Sequence, residues 1–417
     1  MKKEYGFDTR VIHEGELRDN WEGATLPPIF QTASHAHSTA KSLSNAFSGE
    51  SDDHVYMRVS NPTNRFLEEK LAGLESGRGA IVTSSGMAAI NSACMSLLRS
   101  GDELVAGSSL FMSTSFLFTS LFTRYGIKAR LVNPTDLDAF ARAINSRTRF
   151  LFVETIGNPA MDIPDIKALS TLAHDHGLPL VVDNTLASPW LFRPLEHGAD
   201  VVIHSTTKYL SGHGAALGGV VIDGGNFDWD TERFPDFKPF VEKKGELAFL
   251  NGVLRQYHIN SGTTQAPFHS FLTTLGLDTL ALRMERHMAN AVTVAEFLSG
   301  HPKVNWVNYP GLSGHPCFET ASAQFGGKGF GSMLTFGLKD QEECFRFIDN
   351  LRMISNLANL GDCKTLLLHP YSTQFILHDE AEKRRLNISP GMIRLSIGIE
   401  SFQDICHDLD QSLGMLP

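Results

Sequence analysis

Short apolar segments recur along the middle of the chain and constrain its fold more than any other feature. Helix-length segments such as MAAINSACMSLLRSG and IPDIKALSTLAHDHG lie between most of them, and each ends at a glycine. Strands that are apolar on both faces and separated by helices are typical of a parallel sheet covered on both sides. We therefore predict a doubly wound α/β region. The seven apolar segments are residues 79–84, 103–107, 127–132, 149–155, 179–184, 200–205 and 217–223.

The regions on either side differ from this pattern. Residues 1–65 show little periodicity, so we predict an extended arm that packs on its own body or on a neighbouring subunit. The aromatic and polar segment 227–246 indicates an irregular connection. A long helical pattern over 279–300 is followed by strand candidates at 304–309, 331–338, 365–370 and 392–398. The predicted units are an arm (1–65), an α/β domain (66–260) and a smaller α+β domain (261–417).

The composition excludes several classes of protein. The 417 residues include 36 Lys and Arg against 46 Asp and Glu, and the net charge of −10 argues against a nucleic-acid-binding surface. The five cysteines form no CxxC pair, which is typical of a reducing compartment. Acidic residues stand where a signal peptide needs an apolar run, and the longest apolar runs, of about five residues, are too short to span a bilayer. We expect a cytoplasmic protein.

The segment HSTTKYLSGHG at 204–214 carries the strongest signal for a functional site. Lys208 follows an apolar strand candidate, and ligands in open α/β sheets bind beyond the carboxyl ends of the strands. A lysine there can form a Schiff base with a carbonyl compound, and the hydroxyl groups of Ser205 and Thr207 suit a phosphate. Taken alone, a lysine after a strand is more often an ordinary surface residue. The residues at the other strand ends must therefore show whether Lys208 belongs to a functional site.

Two further strand ends supply complementary groups. Asp183 ends the strand candidate PLVVDN and can keep a pyridinium nitrogen protonated, although an acid here can also serve as a helix N-cap. In TSSGMAA, at 83–89, the amides of Gly86 and Met87 begin a helix and can bind an anion, although such turns often only pack. A cationic amine, a carboxylate and a phosphate cradle at three strand ends form a coherent set.

Three residues elsewhere are candidates for binding anions. Arg394 lies in the apolar segment MIRLSIG, where its burial requires an anion, either a substrate carboxylate or an acidic side chain of the protein. Tyr56 and Arg58 are two residues apart in the arm, so an extended backbone points both the same way. They are either ordinary surface residues or, because the arm has no core of its own, residues that reach a phosphate elsewhere, for example on another subunit. The HxH pairs of the sequence have no third ligand at a suitable spacing, so no metal site is predicted.

Together these motifs resemble those of the Cys/Met-metabolism family of pyridoxal-phosphate enzymes. PPIFQTAS, YMRVSNPT, SSGMAA, ETIGNP, VVDNT, HSTTKYLSGHG and IRLSIGIE occur in the family's order over nearly the whole chain. The resemblance implies fold type I, the aspartate-aminotransferase-like α/β fold with a mainly parallel seven-stranded sheet and a smaller C-terminal α+β domain. Within the family the chain is most similar to the O-acetylhomoserine sulfhydrylase branch, through FDW (227–229), RMERH (283–287), NLANLGDCKTLLLHP (356–370) and the Ser-Thr pair at 372–373.

The resemblance also implies a role for each residue that matches a family motif. Lys208 would hold pyridoxal 5'-phosphate covalently, and Asp183 would pair with the ring nitrogen. Asn158 would approach the ring oxygen, while Arg394 and the backbone around Asn359 would bind the substrate carboxylate. The phosphate group would be bound by Gly86, Met87, Ser205 and Thr207, together with Tyr56 and Arg58 contributed from a neighbouring subunit.

The sequence departs from the family pattern at positions that matter for chemistry. Members usually stack a tyrosine over the cofactor ring where this chain has Phe111, which keeps the stacking area but lacks the hydroxyl assigned to proton transfer at the leaving group. Lys208, a water molecule or another side chain would take over that role, or the preferred elimination differs. Ser113 stands where methionine γ-lyases tend to have cysteine, and Asn359 stands where many lyases and synthases have serine. Both favour the sulfhydrylase branch.

The reaction implied by the resemblance is γ-replacement on O-acetyl-L-homoserine, giving homocysteine and acetate in methionine biosynthesis. Cystathionine γ-synthase, methionine γ-lyase and a non-catalytic pyridoxal-phosphate-binding regulator are the alternatives. The sulfur donor can be free sulfide, a thiol or the thiocarboxylate of a carrier protein. The arm implies a dimer, and the family implies a homotetramer built as a dimer of dimers. Neither nucleic acid nor a membrane is expected as a partner.

Overall fold

The larger part of the molecule is built on a seven-stranded sheet in a computed structural model that describes residues 5–15 and 23–417. Its strands are β1 (Gly79–Thr83), β2 (Glu103–Gly107), β3 (Lys128–Val132), β4 (Thr148–Glu154), β5 (Leu180–Asp183), β6 (Val201–His204) and β7 (Gly219–Asp223). They lie in the order β1-β7-β6-β5-β4-β2-β3, and β7 alone runs antiparallel to its neighbours in this sheet. Each strand matches one predicted apolar segment, which confirms the mainly parallel seven-stranded sheet.

Two apolar cores cover the two faces of this sheet. Along β4, Leu151 and Val153 enter one core, whereas Phe150 and Phe152 enter the other. Since side chains alternate between the faces of a strand, a run that is apolar at every position indicates burial on both sides. The α-helices of this part are α1 (Phe7–His13), α2 (Ala40–Ser48), α3 (Pro62–Leu74), α4 (Gly86–Leu97), α5 (Met112–Phe116), α6 (Leu137–Ala143), α7 (Ile166–Asp175), α8 (Ser188–Leu191), α9 (Lys238–Lys244) and α10 (Arg255–Ser261).

A five-stranded sheet with its own apolar core forms the C-terminal part. Its strand order is β10-β11-β12-β9-β8, with β8 (Trp306–Asn308), β9 (Met333–Gly337), β10 (Ser355–Asn356), β11 (Leu366–Leu368) and β12 (Met392–Ser396). The two-residue β10 was not predicted from the sequence. The helices are α11 (Pro267–Leu277), α12 (Leu280–Gly300), α13 (Phe318–Phe325), α14 (Gln341–Asn350), α15 (Glu380–Arg385) and α16 (Phe402–Leu413). Within residues 5–15 and 23–417, no helix combines the length and the hydropathy needed to cross a membrane.

The long helix α12 contributes to the cores of both sheets. Leu280 and Met284 near its start pack into a core of the large sheet, and Val294 and Leu298 near its end pack into the core of the small one. One continuous helix therefore links the two sheets. The boundary predicted near residue 260 falls at the end of α10, ahead of this helix.

The segment 227–246 is more regular than its sequence suggested. A 3-10 turn (Pro235–Phe237), α9 and a second 3-10 turn (Gly245–Leu247) occupy its second half. Trp229 and Phe237 are buried and stack with ring centroids 4.9 Å apart. The prediction of an irregular connection was wrong for this half, because buried aromatic residues spaced along the segment hold it against the sheet.

The arm also contains helices where an extended segment was expected. α1, α2 and the start of α3 lie within it, whereas residues 1–4 and 16–22 of the predicted arm lie outside the described residues. Lys70 on α3 connects α1 to the rest of the protein through hydrogen bonds. Its buried Nζ donates to the carbonyl of Ile12 at 3.2 Å and to Asp278 Oδ1 at 2.7 Å.

A buried polar network lies beneath the carboxyl edge of the large sheet. His204 Nε2 donates to Glu75 Oε1 at 2.6 Å, and Asn184 Nδ2 donates to the same oxygen at 2.9 Å. All three side chains are no more than 1% exposed. Glu75 follows α3, so the network fixes the end of that helix to the ends of β5 and β6.

We expect Glu75→Ala to lower the free energy of unfolding by about 2–4 kcal/mol, because the buried imidazole of His204 and the amide of Asn184 lose their acceptor. Urea titration of the cofactor-loaded protein at one fixed protein concentration measures the change. Glu69→Ala is the matched control on α3: its partly exposed ion pair with Arg65 predicts a change within about 0.5 kcal/mol. Equal losses in the two variants would contradict the expectation.

Candidate active site

A cavity of about 480 Å³ lies at the carboxyl edge of the large sheet and is lined by residues of both sheets. Asp183 ends β5, Lys208 follows β6, and Arg394 lies on β12 of the small sheet. The fold thus collects groups that are far apart in the sequence. Of the predicted site residues, it places Gly86, Met87, Phe111, Asn158, Asp183, Ser205, Thr207, Lys208, Asn359 and Arg394 around this cavity.

The amine of Lys208 is a perturbed titratable group of the cavity. Its Nζ donates a hydrogen bond to Asn359 Oδ1 at 2.6 Å. Burial lowers the pKa of Lys208 to about 8, and the nearby positive charge of Arg394 acts in the same direction. Near neutral pH a much larger fraction of this amine is therefore unprotonated, and hence nucleophilic, than in an exposed lysine.

Two carboxyl groups stand side by side at the ends of β4 and β5. Glu154 pairs in register with Asp183, and both residues line the cavity. Burial raises the pKa of each group, and Asp183 raises the pKa of Glu154 further, to well above its ordinary value. Asp183 Oδ1 accepts hydrogen bonds from the backbone N–H of Thr185 at 3.0 Å and from its hydroxyl at 2.5 Å. These bonds favour the anionic form of Asp183 and oppose the effect of burial on its pKa.

The first turn of α4 forms an anion site at the same edge. Ser85 caps this helix by accepting the Ala88 N–H at 3.1 Å, and the amides of Gly86 and Met87 are left at the helix end for an external anion. A Cβ atom at Gly86 would lie 2.7 Å from the Cβ atom of Ser205. Only glycine therefore allows the helix end to approach the segment that carries Lys208.

Ser205 and Thr207 form the opposite side of this anion site. The backbone N–H of Ser205 donates to Thr185 Oγ1 at 2.8 Å, and the Ser205 hydroxyl has no hydrogen bond within the described chain. Thr207 Oγ1 accepts the N–H of Gly218 at 3.0 Å and donates to its carbonyl at 3.2 Å. The Ser205 hydroxyl is thus available to a phosphate oxygen.

Arg394 is buried in β12 with neutral partners. Its Nη1 donates to Asn158 Oδ1 and Gln374 Oε1, both at 3.3 Å, and its Nη2 donates to the carbonyl of Asn359 at 2.9 Å. Its Nε has no acceptor, and no carboxylate of the described residues forms an ion pair with it. Burial lowers the pKa of Arg394 to about 10, so it stays charged at neutral pH. The sequence left two partners open for Arg394, an acidic side chain of the protein or a substrate carboxylate. The first is therefore wrong, and the carboxylate of a bound substrate is a suitable partner.

Tyr56 and Arg58 do not line the cavity. They lie in a turn rather than in an extended segment, with the N–H of Val59 donating to the carbonyl of Tyr56 at 2.8 Å. The turn places the guanidinium of Arg58 5.5 Å from the centre of the Tyr56 ring, and Arg58 Nη1 donates to the carbonyl of Ile259 at 2.6 Å. Both side chains are exposed. The extended backbone predicted here was wrong, although the turn still brings the two side chains together.

Some lining residues were not among the predicted site residues. Glu154 ends the strand candidate RFLFVET just as Asp183 ends PLVVDN, so the same pattern of an acid after an apolar run could have identified it. Thr185 and Gln374 also line the cavity. Gln374 had no signal in the sequence, because it reaches Arg394 from an irregular segment after a 3-10 turn (Pro370–Ser372).

The groups around the cavity fit pyridoxal 5'-phosphate. Lys208 would bind its aldehyde, Asp183 its ring nitrogen, and the first turn of α4 with Ser205 its phosphate. The aromatic face of Phe111 is available for stacking on the ring. The fold and the cavity together define a fold type I pyridoxal-phosphate enzyme.

Comparison with known proteins gives the family. The family model described as Cys/Met metabolism PLP-dependent enzyme matches residues 8–414, and the chain belongs to this family. It is 38% identical to the O-acetyl-L-homoserine sulfhydrylase of Leptospira meyeri, over 99% of this chain and 98% of that protein. It is 40% identical to the O-acetyl-L-homoserine sulfhydrylase of Corynebacterium glutamicum, over 98% and 96% of the two chains.

A solved structure shows the same fold. It is the crystal structure of a Campylobacter jejuni protein described as an O-acetylhomoserine (thiol)-lyase, with N'-pyridoxyl-lysine-5'-monophosphate. The two folds agree with a TM-score of 0.92 at 31% sequence identity, over 98% of this chain and 100% of that one. The predicted family, fold class and cofactor are thereby confirmed.

We expect covalent attachment of pyridoxal phosphate to the apoprotein to accelerate with pH and to level off above about pH 8, because the neutral amine of Lys208 is the reacting form. An unperturbed lysine, with a pKa of about 10.4, would show acceleration up to roughly pH 10. Stopped-flow absorbance between pH 6.5 and 10 measures the rate. Arg394→Gln should move the midpoint upward, since the charge of Arg394 helps to lower this pKa. A rate still rising at pH 10 in the native apoprotein would contradict the assignment.

Proposed function

We propose that the protein catalyses γ-replacement on O-acetyl-L-homoserine, in which a sulfur donor displaces acetate: sulfide gives homocysteine, and a thiol would give the corresponding thioether. One observation carries this proposal: Arg394, buried without an acidic partner in the described chain, lies next to Lys208 in one cavity. The pair suits an amino acid whose carboxylate binds the arginine and whose amino end faces the lysine. Relatives named O-acetyl-L-homoserine sulfhydrylase, at 38% and 40% identity over nearly the full length, support the choice of substrate.

Asn359 joins the carboxylate site to the lysine. Its side-chain oxygen accepts from Lys208 Nζ at 2.6 Å, and its backbone carbonyl accepts from Arg394 Nη2 at 2.9 Å. An amino acid bound to Arg394 is therefore held with its Cα near Lys208. Such positioning removes much of the entropic cost of bringing the reacting groups together.

Lys208 is the group that moves protons in the proposed reaction. Pyridoxal phosphate, when bound, supplies an electron sink for negative charge that develops on the substrate. Nζ of Lys208 accepts the proton from the substrate Cα and transfers a proton at Cβ, and a pKa near 8 suits a base that works close to neutral pH. The carboxylate of Asp183 would keep the ring nitrogen of the bound cofactor protonated.

Phe111 favours an ester over a thioether as the substrate. Its ring has no proton to give to the leaving group. A carboxylic acid has a pKa of about 4, so acetate leaves as an anion, whereas a thiol with a pKa of about 8.5 gives a poorer leaving group that benefits from an acid. A chain without the tyrosine hydroxyl is therefore better suited to acetylhomoserine than to the thioether methionine.

The charges of the cavity favour an uncharged acyl group. Among the described residues that line it, the cations are Lys208 and Arg394, and both already have roles in the proposed reaction. The lining acids are Glu154 and Asp183. The second carboxylate of a succinyl ester would have no further cation to pair with among the described lining residues, so we assign the acetyl ester.

We further propose that the active unit is a homodimer, and that two dimers form a tetramer in the cytoplasm. Among the described residues that line the cavity, the one arginine is Arg394 on the small sheet, which is assigned to the substrate carboxylate rather than to the anion site of Gly86 and Ser205. The exposed Arg58 and Tyr56 would supply a cation and a hydroxyl from the neighbouring subunit. Free sulfide, a thiol and a carrier-protein thiocarboxylate are the candidate sulfur donors.

A competition assay tests the proposed reaction. We expect the purified, cofactor-loaded protein to form homocysteine from acetylhomoserine and sulfide, and to turn over succinylhomoserine at least about tenfold more slowly, in line with an unpaired charge. Methionine in the same assay tests for γ-lyase activity, and cysteine as the sulfur donor tests for cystathionine formation. Lys208→Ala should lose turnover. Methionine cleavage as the main activity, or unchanged turnover in Lys208→Ala, would overturn the proposal.

We expect Arg394→Lys to raise the KM for acetylhomoserine about 30-fold or more, because an ammonium group cannot form the two parallel hydrogen bonds of a guanidinium to a carboxylate. Steady-state kinetics with saturating sulfide measures the effect. Arg283→Lys is the control, since this buried arginine donates instead to the backbone carbonyls of Tyr209 and Gly276. An unchanged KM in Arg394→Lys would show that the arginine does not bind the substrate.

A further inference from the structure

Glu154 is a buried carboxyl group of the cavity that the proposed reaction does not use. It is the last residue of β4 and is 7% exposed. The parallel pairing of β4 with β5 places it in register with Asp183, so the two side chains project from the same face of the sheet. A second acid at this position requires an explanation, because burying two carboxylates side by side is costly.

The carboxyl group of Glu154 holds the backbone of Phe111. The N–H of Phe111 donates to Glu154 Oε1 at 2.6 Å. Phe111 stands at the N-cap position of the short helix α5 and lines the cavity. The aromatic residue that would cover the cofactor is thus attached to the end of β4, the strand next to the one that carries Asp183.

Electrostatics favours a proton on Glu154 and the negative charge on Asp183. Burial and the adjacent Asp183 raise the pKa of Glu154 well above its ordinary value, and they outweigh the opposing amides of Phe111 and Asn158. Burial raises the pKa of Asp183, but the two hydrogen bonds from Thr185, and to a lesser extent His204, act to lower it. Two neighbouring carboxyl groups in a buried site do not both ionise readily, and these partners decide which one does.

We propose that Glu154 is an uncharged positioning residue, whose carboxyl oxygen holds Phe111 over the cofactor ring and whose neutrality leaves Asp183 as the single carboxylate at the ring nitrogen. This inference rests on the cofactor site described above and deepens the proposed function. Glu154 acts through Phe111 and Asp183 and does not itself react with the substrate.

Glu154→Gln and Glu154→Ala separate the two parts of the proposal. Glutamine keeps a neutral acceptor for the Phe111 N–H, so the Kd for pyridoxal phosphate should stay within about threefold of the native value, and the pH midpoint of the absorbance of the lysine-bound cofactor within about 0.3 units. Alanine removes the acceptor, and the Kd should rise about tenfold or more. Titration of the apoprotein with the cofactor and a spectrophotometric pH titration of the loaded protein supply both measurements.

Glu103→Gln is the matched control, because Glu103 is a buried carboxyl group in the same sheet, at the start of β2, paired with Arg130 and Arg147. Its substitution should leave both cofactor measurements unchanged. A shift of about one pH unit in Glu154→Gln would show that Glu154 carries a negative charge and would overturn the inference. A native Kd in Glu154→Ala would overturn the positioning of Phe111.

If Glu154→Ala does not fold, the pH midpoint of Glu154→Gln still decides whether Glu154 is charged, and Glu154→Leu, which fills the space but also lacks an acceptor for the Phe111 N–H, replaces Glu154→Ala in the Kd measurement. None of these measurements uses acetylhomoserine. A protein that binds the cofactor as described but does not turn over this substrate would therefore contradict the proposed function and leave the role of Glu154 intact.

Discussion

Parallel pairing in register at the carboxyl ends of β4, β5 and β6 is the constraint on which the site depends. Glu154 and Asp183 are paired neighbours, and His204 at the end of the next strand leads directly into the segment that carries Lys208. A shift of one residue in this pairing would turn either acid to the other face of the sheet. The apolar side chains of these strands are packed into two cores, so such a shift would require both cores to repack.

Much of the fold and part of the site could be predicted from the sequence, for identifiable reasons. Strands buried on both faces have apolar residues at successive positions, and the polar residues that follow these short runs include Asp183 and Lys208. The helical half of segment 227–246 was not predicted, because the burial of its residues, such as Phe237, depends on packing against the large sheet. Gln374 was not predicted, because its contact with Arg394 joins an irregular segment to β12. Local sequence patterns do not reveal such long-range contacts. The motifs of the family supplied the role of Asn359, which its local sequence does not reveal.

The site holds two cations and two acids in one cavity of low polarity. Their different hydrogen-bond partners give these groups different roles. Lys208 and Arg394 share the partner Asn359, which keeps two cations close together without a carboxylate between them. Asp183 and Glu154 are adjacent acids with different donors, Thr185 for one and the amide of Phe111 for the other. Neutral groups thus hold the charged groups in place, and the carboxylate of the substrate would supply a negative charge to pair with Arg394.

The path of α12 has a consequence for how the protein can be divided. This 21-residue helix supplies apolar side chains first to the large sheet and then to the small one. A fragment ending near residue 260 would retain every strand of the large sheet but would expose the apolar surface that Leu280 and Met284 cover. A fragment ending after the helix would instead expose Val294 and Leu298, which pack into the core of the small sheet, so neither end of α12 is a point at which the protein can be divided.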